Sequence, residues 1–378
     1  MNRRDLLLAA SAAAAAFVAP SVRAAPSVRA APRVNAAPTT RRPAGRLTRP
    51  AIIIKPAQLK RGDLIGLVAP SGGSNSAYVE TRVKHLEASG FRIKVSKNIL
   101  AVRGNTAGTP QQRVADLHDM FLDREVAAIW ALRGGSGASQ MLSLIDYRLI
   151  RNHPKIFIGF SDITALHLAI LKHSGLVTFH GPTAPGPTIS DYSMTQLEAV
   201  LMHPRDQTTI YMSDANRGEA ENAVAGAGEY KLRTLTPGVA EGRLVGGNLA
   251  VLSALIGTPY APDWRGALLF LEDIREAPYR IDRMLTQLKQ AIPFNDAAGV
   301  MLGVFRRSVD AGAAVDSEPR LSLEQALDDH FTGLSVPAAY GFSFGHIANN
   351  FTIPLGVRAR LDTSTQTLTL LEAAVRER

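Results

Sequence analysis

KIFIGFSDITALHLAIL, residues 155–171, changes period in its middle. Lys155 to Phe160 is apolar and β-branched, and short enough for one buried strand. From Asp162 onward Ile163, Leu166, Ile170 and Leu171 recur at helical spacing. Gly159-Phe160-Ser161-Asp162 joins the two halves. A strand running straight into a helix is the unit of a parallel α/β sheet. A residue at that junction lies on the carboxyl edge of the sheet, where open α/β folds place ligands. Two readings of Ser161 stand side by side. Ser161 or Asp162 caps the helix, or Ser161 is a nucleophile facing unpaired helix N–H groups. The elbow Gly-x-Ser-x-Gly is not met, because Ile163 stands where its second glycine would be.

The same alternation extends outward. DLIGLVAPSG (63–72), FRIKVS (91–96), VAAIWALRGGSG (126–137) and LVTFHGP (176–182) read as strands running into turns. AYVETRVKHLEASG (77–90), TPQQRVADLHDMFLDRE (109–125) and ASQMLSLIDYRLIRNHP (138–154) read as helices. These predict an N-terminal α/β domain over 56–185, a mostly parallel sheet flanked by helices. The polar, Pro- and Gly-containing stretch 186–240 reads as a crossing with some short strands. Residues 241–378 form a second α/β or α+β domain. There GALLFLEDI (266–274) and AGVMLGVF (298–305) are strands, and 279–291 and 322–334 are helices. The catalytic cleft is expected between the two domains.

The first fifty residues are different material. MNRRDLLLAASAAAAAFVAPSVRA pairs Arg3 and Arg4 with a short apolar run and a small-residue end at Ala24. This is the pattern of a twin-arginine-type signal peptide over 1–24, followed by a Pro/Ala/Arg-rich linker over 25–55. It predicts an exported, periplasmic protein without stable membrane insertion. The leader region also explains the charge. Residues 1–50 hold nine Arg and one Asp, a net of +8 out of the chain's +9, which leaves about +1 for residues 51–378. A nucleic-acid partner, which would need a basic face on the folded part, is therefore not expected. The chain has no cysteine, which excludes disulfides, thiol catalysis and cysteine-held metals.

Other candidate groups sit at predicted strand ends. LRGGSGAS (132–139) puts adjacent glycines after a strand, where they form either a tight turn or an anion-binding backbone. It lacks the lysine of a P-loop. LLFLEDIREAPYRIDRML (268–285) ends an apolar strand in Glu272 and Asp273, with Glu276, Arg280, Asp282 and Arg283 close behind. Most of these suit surface ion pairs, and one buried carboxylate could orient a histidine. His346, in GFSFGHIANN, is the first candidate for that histidine, and His180, ending FHGP, is the second. His167 reads as packing or solvated, and His330 as lying at a helix surface. No His-x-x-x-His or His-Glu-x-x-His spacing is present, and no catalytic metal is expected. A serine, a histidine and a carboxylate are each available, but spacing alone does not show contact between them. A signal peptide and two α/β domains also describe a non-enzymatic solute receptor.

The ordered set GDLIGLVAPSG, LRGGSG, IGFSDITALH, HGP, GRLVGGNLAVLSALIGTPY, LFLEDIREAPYRIDRML and GFSFGH resembles the LD-carboxypeptidase (muramoyltetrapeptide carboxypeptidase) family over roughly 60–372. That family includes microcin-immunity serine peptidases. The resemblance implies a serine peptidase without a cofactor, with Ser161, Glu272 and His346 as its triad and Glu276 as the alternative acid. It implies oxyanion donors from Gly134 or Gly135 and from Asp162, and places Asn248 near the substrate pocket. The implied substrate is a murein tetrapeptide cut before its terminal D-alanine, and the implied assembly is a homodimer. Microcin-like conjugates are the alternative substrate. One departure concerns pocket shape: the family turn often has an aromatic after Gly-Gly, where this chain has Ser136.

Overall fold

The computed structural model describes residues 52–222, 229–308 and 321–378. The expected signal peptide, and the linker up to residue 51, lie outside these residues.

The first half alternates as its periodicity predicts. Strand β1 (Leu64–Val68) leads to helix α1 (Ser76–Ala88), then β2 (Arg92–Val95), α2 (Pro110–Leu122) and β3 (Val126–Ala131). Next come α3 (Tyr147–Asn152), β4 (Ile156–Gly159), α4 (Thr164–Ser174) and β5 (Thr178–His180). Local chemistry sets the ends. Thr109 and Gln112 close a reciprocal capping box at α2, with Pro110 at its first turn. Gly175, in the left-handed region, stops α4. The predicted single helix 138–154 is instead a 3₁₀ turn, Ala138–Met141, followed by α3. Asp146 causes the break: its carboxylate accepts from the N–H groups of Arg148 and Leu149, which starts a new helix there.

The strands pair in parallel in the order β2-β1-β3-β4-β5. From β1 the chain goes first to one side and then to the other. The loops after β1 and β3 therefore part at their carboxyl ends and open a crevice there.

The segment 186–240 contains more structure than its polar composition predicts. It forms α5 (Asp191–Leu201), β6 (Thr208–Ile210), α6 (Asp214–Asn222) and β7 (Arg233–Thr236). Ser190 caps α5 by accepting from Ser193 N–H. The chain continues through β8 (Val239–Asn248), α7 (Leu249–Leu255), β9 (Ala267–Glu272), α8 (Pro278–Ala291), β10 (Gly299–Val304) and α9 (Leu323–Phe331). It finishes with β11 (Ala338–Gly345), β12 (Ile353–Leu355), β13 (Arg358–Asp362) and β14 (Thr367–Leu370). The second sheet is mixed, ordered β6-β14-β13-β8-β9-β10-β11-β7, with β8 to β11 parallel at its centre. Strand β12 leaves this half and adds to the first sheet, antiparallel to β5, with Ile353 opposite His180. All these elements belong to one compact unit, Leu47–Arg378.

The expected α/β class therefore holds, with a six-strand sheet, an eight-strand sheet and helices over them. β4, β9 and β10 are buried along their whole length, which is why they read as unbroken apolar runs. Glu272 is the exception: it lies in β9 and is 0% exposed. Among the described residues no helix is long and apolar enough to cross a membrane.

Candidate active site

Ser161 opens a short 3₁₀ turn, Ser161–Ile163, between β4 and α4. Its φ is +64°, in the left-handed region that non-glycine residues avoid at a cost of about 1–3 kcal/mol. The residue is held there from several sides. Behind it Asp162 is buried, and its carboxylate accepts from Ser71 Oγ and from Ala138 N–H. Neither residue caps the helix: Phe160 and Ile163 occupy the cap positions, and no side chain bonds either helix start. The capping reading is thus replaced. Asp162 ties together the loops after β1 and β3, which leaves Ser161 Oγ free for another partner.

That partner comes from the second sheet. Ser161 Oγ lies 3.0 Å from His346 Nε2, and His346 Nδ1 lies 2.7 Å from Glu272 Oε2. Glu272 ends β9, and His346 follows β11. Gly345 permits the approach. Its φ is +115°, and a Cβ there would stand 3.0 Å from Glu272 Oε2. An ionised carboxylate only accepts hydrogen bonds, so Nδ1 carries the proton and donates it to Glu272. Nε2 is then an acceptor for the Ser161 hydroxyl.

The charges follow from burial and pairing. Burial pulls the His346 pKa down, but the Glu272 charge and hydrogen bond outweigh it and leave it above the ordinary histidine value. Burial pushes Glu272 up, and the charge and hydrogen bond of His346 reverse this, leaving it below the ordinary value. Asp273, buried next door, is pushed up to about 7 by burial and then by the Glu272 charge. Its Oδ2 accepts from Ala250 N–H, and its Oδ1 from Ile274 N–H and Asn248 Nδ2.

Asn248 is 4% exposed, and its amide is engaged on three sides. Nδ2 donates to Asp273 and, at 3.3 Å, to Glu272 Oε1, while Oδ1 caps α7 through Val251 N–H. Where the resemblance implies a pocket residue, the structure shows Asn248 supporting Glu272 from behind. Asn248 N–H also donates to Thr164 Oγ1 on α4 and so ties the two sheets together at the site.

The glycine turn after β3 lies against the serine. A Cβ at Gly134 would fall 3.0 Å from Ser161 Cβ, so any larger residue would push the turn and the serine apart. A Cβ at Gly135 would meet Gly72 instead. The Asp162 N–H sits in the first turn of the 3₁₀ helix, where no preceding helical carbonyl can accept it. Arg113 on α2, 2% exposed, clamps this region. It donates to Pro70 O (2.9 Å), Gly137 O (2.8 Å) and Gln140 Oε1 (2.7 Å). Sequence reasoning missed Arg113 and Ser71. The one signal for Arg113 was a charge beside the apolar positions of α2, which does not stand out from an ordinary helix surface, and Ser71 reads as a turn serine after β1.

The other candidates separate clearly. His180 is 2% exposed, and neither ring nitrogen has a hydrogen-bond partner among the described residues. Its ring packs edge-on to Phe270 at 5.4 Å and to Phe160 at 6.0 Å, and burial holds its pKa down to about 4. His167 is not solvated: it is wholly buried on α4, with Nε2 2.8 Å from Gly159 O. His330, expected at a helix surface, is also buried and contacts Asp282. Glu276 does not reach the histidine; it pairs with Arg280 one helical turn on. Among the described residues no group of three His, Cys, Asp or Glu could hold a metal ion.

An α/β frame that lines up a strained serine, a histidine and a buried carboxylate defines a serine-type hydrolase. The chain belongs to the LD-carboxypeptidase family: the model of that family's N-terminal domain matches residues 65–181, and that of its C-terminal domain residues 241–361. A Bacillus subtilis (strain 168) protein named "Probable murein peptide carboxypeptidase" is 40% identical over 325 residues, covering 85% of this chain and 96% of that one. The "Murein tetrapeptide carboxypeptidase" of Pseudomonas aeruginosa (strain PAO1) is 32% identical, covering 79% of this chain and 92% of that one. Among solved structures, that of the microcin immunity protein MccF in complex with glutamyl sulfamoyl guanosine superposes with a TM-score of 0.75. It is 25% identical, covering 85% of this chain and 99% of that one.

Proposed function

We propose that this protein is an exported carboxypeptidase that releases the C-terminal D-alanine of murein tetrapeptides, with Ser161 as nucleophile, His346 as base and Glu272 as the acid that orients it. The observation that carries the proposal is the unbroken hydrogen-bonded line from Ser161 Oγ through His346 to the buried Glu272. The names of the relatives supply the substrate class.

In this reading neutral His346 takes the proton of Ser161 as Oγ attacks the carbonyl before D-alanine. Glu272 stabilises the imidazolium that forms. The Asp162 N–H and an N–H of the Gly134–Gly135 turn hold the tetrahedral oxyanion, each donor contributing about 3–4 kcal/mol. His346 then protonates the leaving amine, and D-alanine departs. Water, deprotonated by the same imidazole, hydrolyses the acyl-serine and restores the hydroxyl. The paired arginines Arg3 and Arg4 before an apolar run support export to the periplasm, where the substrate would be wall-derived peptide. Cell fractionation with and without Arg3→Lys/Arg4→Lys tests that part.

The deciding experiment is mass spectrometry of L-Ala–γ-D-Glu–diaminopimelate–D-Ala after incubation with the full-length protein and with its Ser161→Ala variant. Loss of one alanine with the wild type alone is the expected result. Equal release by both proteins, or by neither, would sink the proposal. Cleavage of an aminoacyl sulfamoyl nucleotide in place of the tetrapeptide would move the substrate toward the microcin relatives.

A further inference from the structure

The sheet order puts a switch point between β1 and β3, and a cleft of about 430 Å³ lies there. Its walls are Gly73 and Asn75 after β1, Val102 and Asn105 from the loop before α2, Tyr78 on α1, and Arg133 after β3. Arg133 directly precedes Gly134, whose position lies against Ser161, so the cleft begins one residue before the turn that touches the nucleophile. The two loops are laced together by Gly72 N–H to Gly134 O and by Arg133 Nη1 to Gly73 O at 3.2 Å.

The chemistry of the lining is one-sided. Arg133 is the only charged side chain in the wall; the rest are amides, a hydroxyl, a phenol, glycines and Val102. Among the described residues no carboxylate bonds Arg133 and its one hydrogen bond is to a backbone carbonyl, which leaves most of its planar donor fork free of them. Val102, 67% exposed, offers an apolar contact beside that fork. Another cleft, about 450 Å³ at the far end of β8 and β9, has its cations already engaged: Arg243 holds Gly356 O and Glu372, Lys172 holds Ala261 O, and Arg265 pairs with Asp263.

We propose that the cleft at the β1/β3 switch point is a carboxylate-binding subsite, and that Arg133 selects substrates by pairing with a carboxylate of the peptide. This rests on the carboxypeptidase reading above and names the group that the enzyme reads. A stem tetrapeptide carries such groups on its terminal alanine, on its γ-linked glutamate and on its diamino acid, and the test separates them.

Steady-state kinetics are measured with the tetrapeptide and with three analogues, each amidated at one of those carboxylates. Full-length wild type, Arg133→Gln and Arg133→Lys are compared; Arg133 is exposed, so neither change touches the core. The wild type is expected to disfavour one analogue by about 10- to 100-fold, the worth of a charge-assisted hydrogen bond. In Arg133→Gln that preference collapses to within about threefold, through KM more than kcat, and Arg133→Lys restores part of it. A preference that survives Arg133→Gln, equal losses on all four peptides, or a wild type indifferent to every amidation overturns the subsite. Release of alanine from none of the peptides by the wild type overturns instead the carboxypeptidase reading on which it rests.

Discussion

Glu272→Gln is the most informative single change, because the structure dictates which way the new amide will point. The Glu272 carboxylate uses its two oxygens differently: Oε1 accepts from Asn248 Nδ2 at 3.3 Å, and Oε2 accepts from His346 Nδ1 at 2.7 Å. The Asn248 amide cannot turn around, since its Oδ1 caps α7 and its Nδ2 also serves Asp273. Glutamine must therefore put its carbonyl oxygen toward Asn248 and its NH₂ toward His346. Nδ1 then becomes an acceptor, and the proton moves to Nε2. An Nε2–H donates to Ser161 and cannot receive its proton.

The expected cost is the loss of the correct tautomer together with the loss of charge stabilisation in the transition state. In serine hydrolases an acid-to-amide change of this kind lowers kcat by about 10⁴-fold, equal to about 5.4 kcal/mol. The pH profile should move as well. His346 must be neutral to act, and Glu272 holds its pKa above the ordinary value, so the wild-type acid limb of kcat/KM lies above pH 6.5. Without the carboxylate, burial is opposed only by the smaller pull of Asp273, and the limb moves down. Stability carries a matching sign. His346, with its raised pKa, contributes stability that is present below about pH 6.5 and is lost as pH rises through its folded value. Glu272, with its lowered pKa, contributes stability that is present above about pH 4.5 and is lost as pH falls through its folded value. The deficit in Tm of the variant should therefore be largest near pH 5–6. Stopped assays across pH 5–9, with ¹⁵N NMR of His346 for the tautomer, read all of this. A variant within about tenfold of wild type, with an unmoved acid limb, would refute the reasoning.

Three further outcomes follow from the same contacts. His180→Phe should keep activity within about tenfold, since its ring nitrogens bond nothing among the described residues and its neighbours are Phe160 and Phe270. His346→Phe should lose at least about 10³-fold, and steady-state rates decide between them. Arg113→Gln removes a buried cation that faces Asp162 and clamps both loops at the serine; a loss of about 3–5 kcal/mol in a denaturant melt is expected, and a loss under 1 kcal/mol would show that the clamp is idle. Asp273→Asn keeps one oxygen for Ile274 N–H and Asn248 Nδ2 but turns an NH₂ against the Ala250 N–H, which loses its acceptor at every pH. The raised carboxyl contributes stability that is present below about pH 4 and is lost as pH rises through about 7, so the Tm deficit of this variant should shrink over that interval.

The strands were legible wherever burial on both faces left an unbroken apolar run, as in β4, β9 and β10. Glu272 was legible for the same reason: a carboxylate ending such a run stands out. Ser161 was ambiguous because the deciding quantity, a positive φ, leaves no mark on a serine. The mark lies on its neighbours, in Gly134 and Gly345, whose need for close approach appears only in three dimensions. Helix α6 was hidden by polar composition, since an exposed helix needs few apolar positions, and α5 buries Leu197, Val200 and Leu201 but was masked by the Pro-, Gly- and Ser-rich stretch before it. Strand β12 was hidden by its length and by Pro354, which is tolerated there because the strand is at a sheet edge.

The site is divided between the two sheets, and this governs what it can tolerate. The first sheet brings Ser161, Asp162 and the Gly134 turn; the second brings Glu272, Asn248 and His346. No hydrogen bond within either set completes the line, so its 3.0 Å link between Ser161 and His346 depends on how the sheets are joined. Two joints lie close to it. β12 crosses back to pair with β5, seven residues after His346, and Asn248 N–H reaches Thr164 Oγ1 at the start of α4, three residues after Ser161. Each joint is anchored to a chain segment that also carries a member of the line. A shift of one sheet against the other therefore has to strain these short segments before it can lengthen the serine–histidine contact. That coupling is what a split site requires, since a displacement of about 1 Å can cost on the order of 10²-fold in rate.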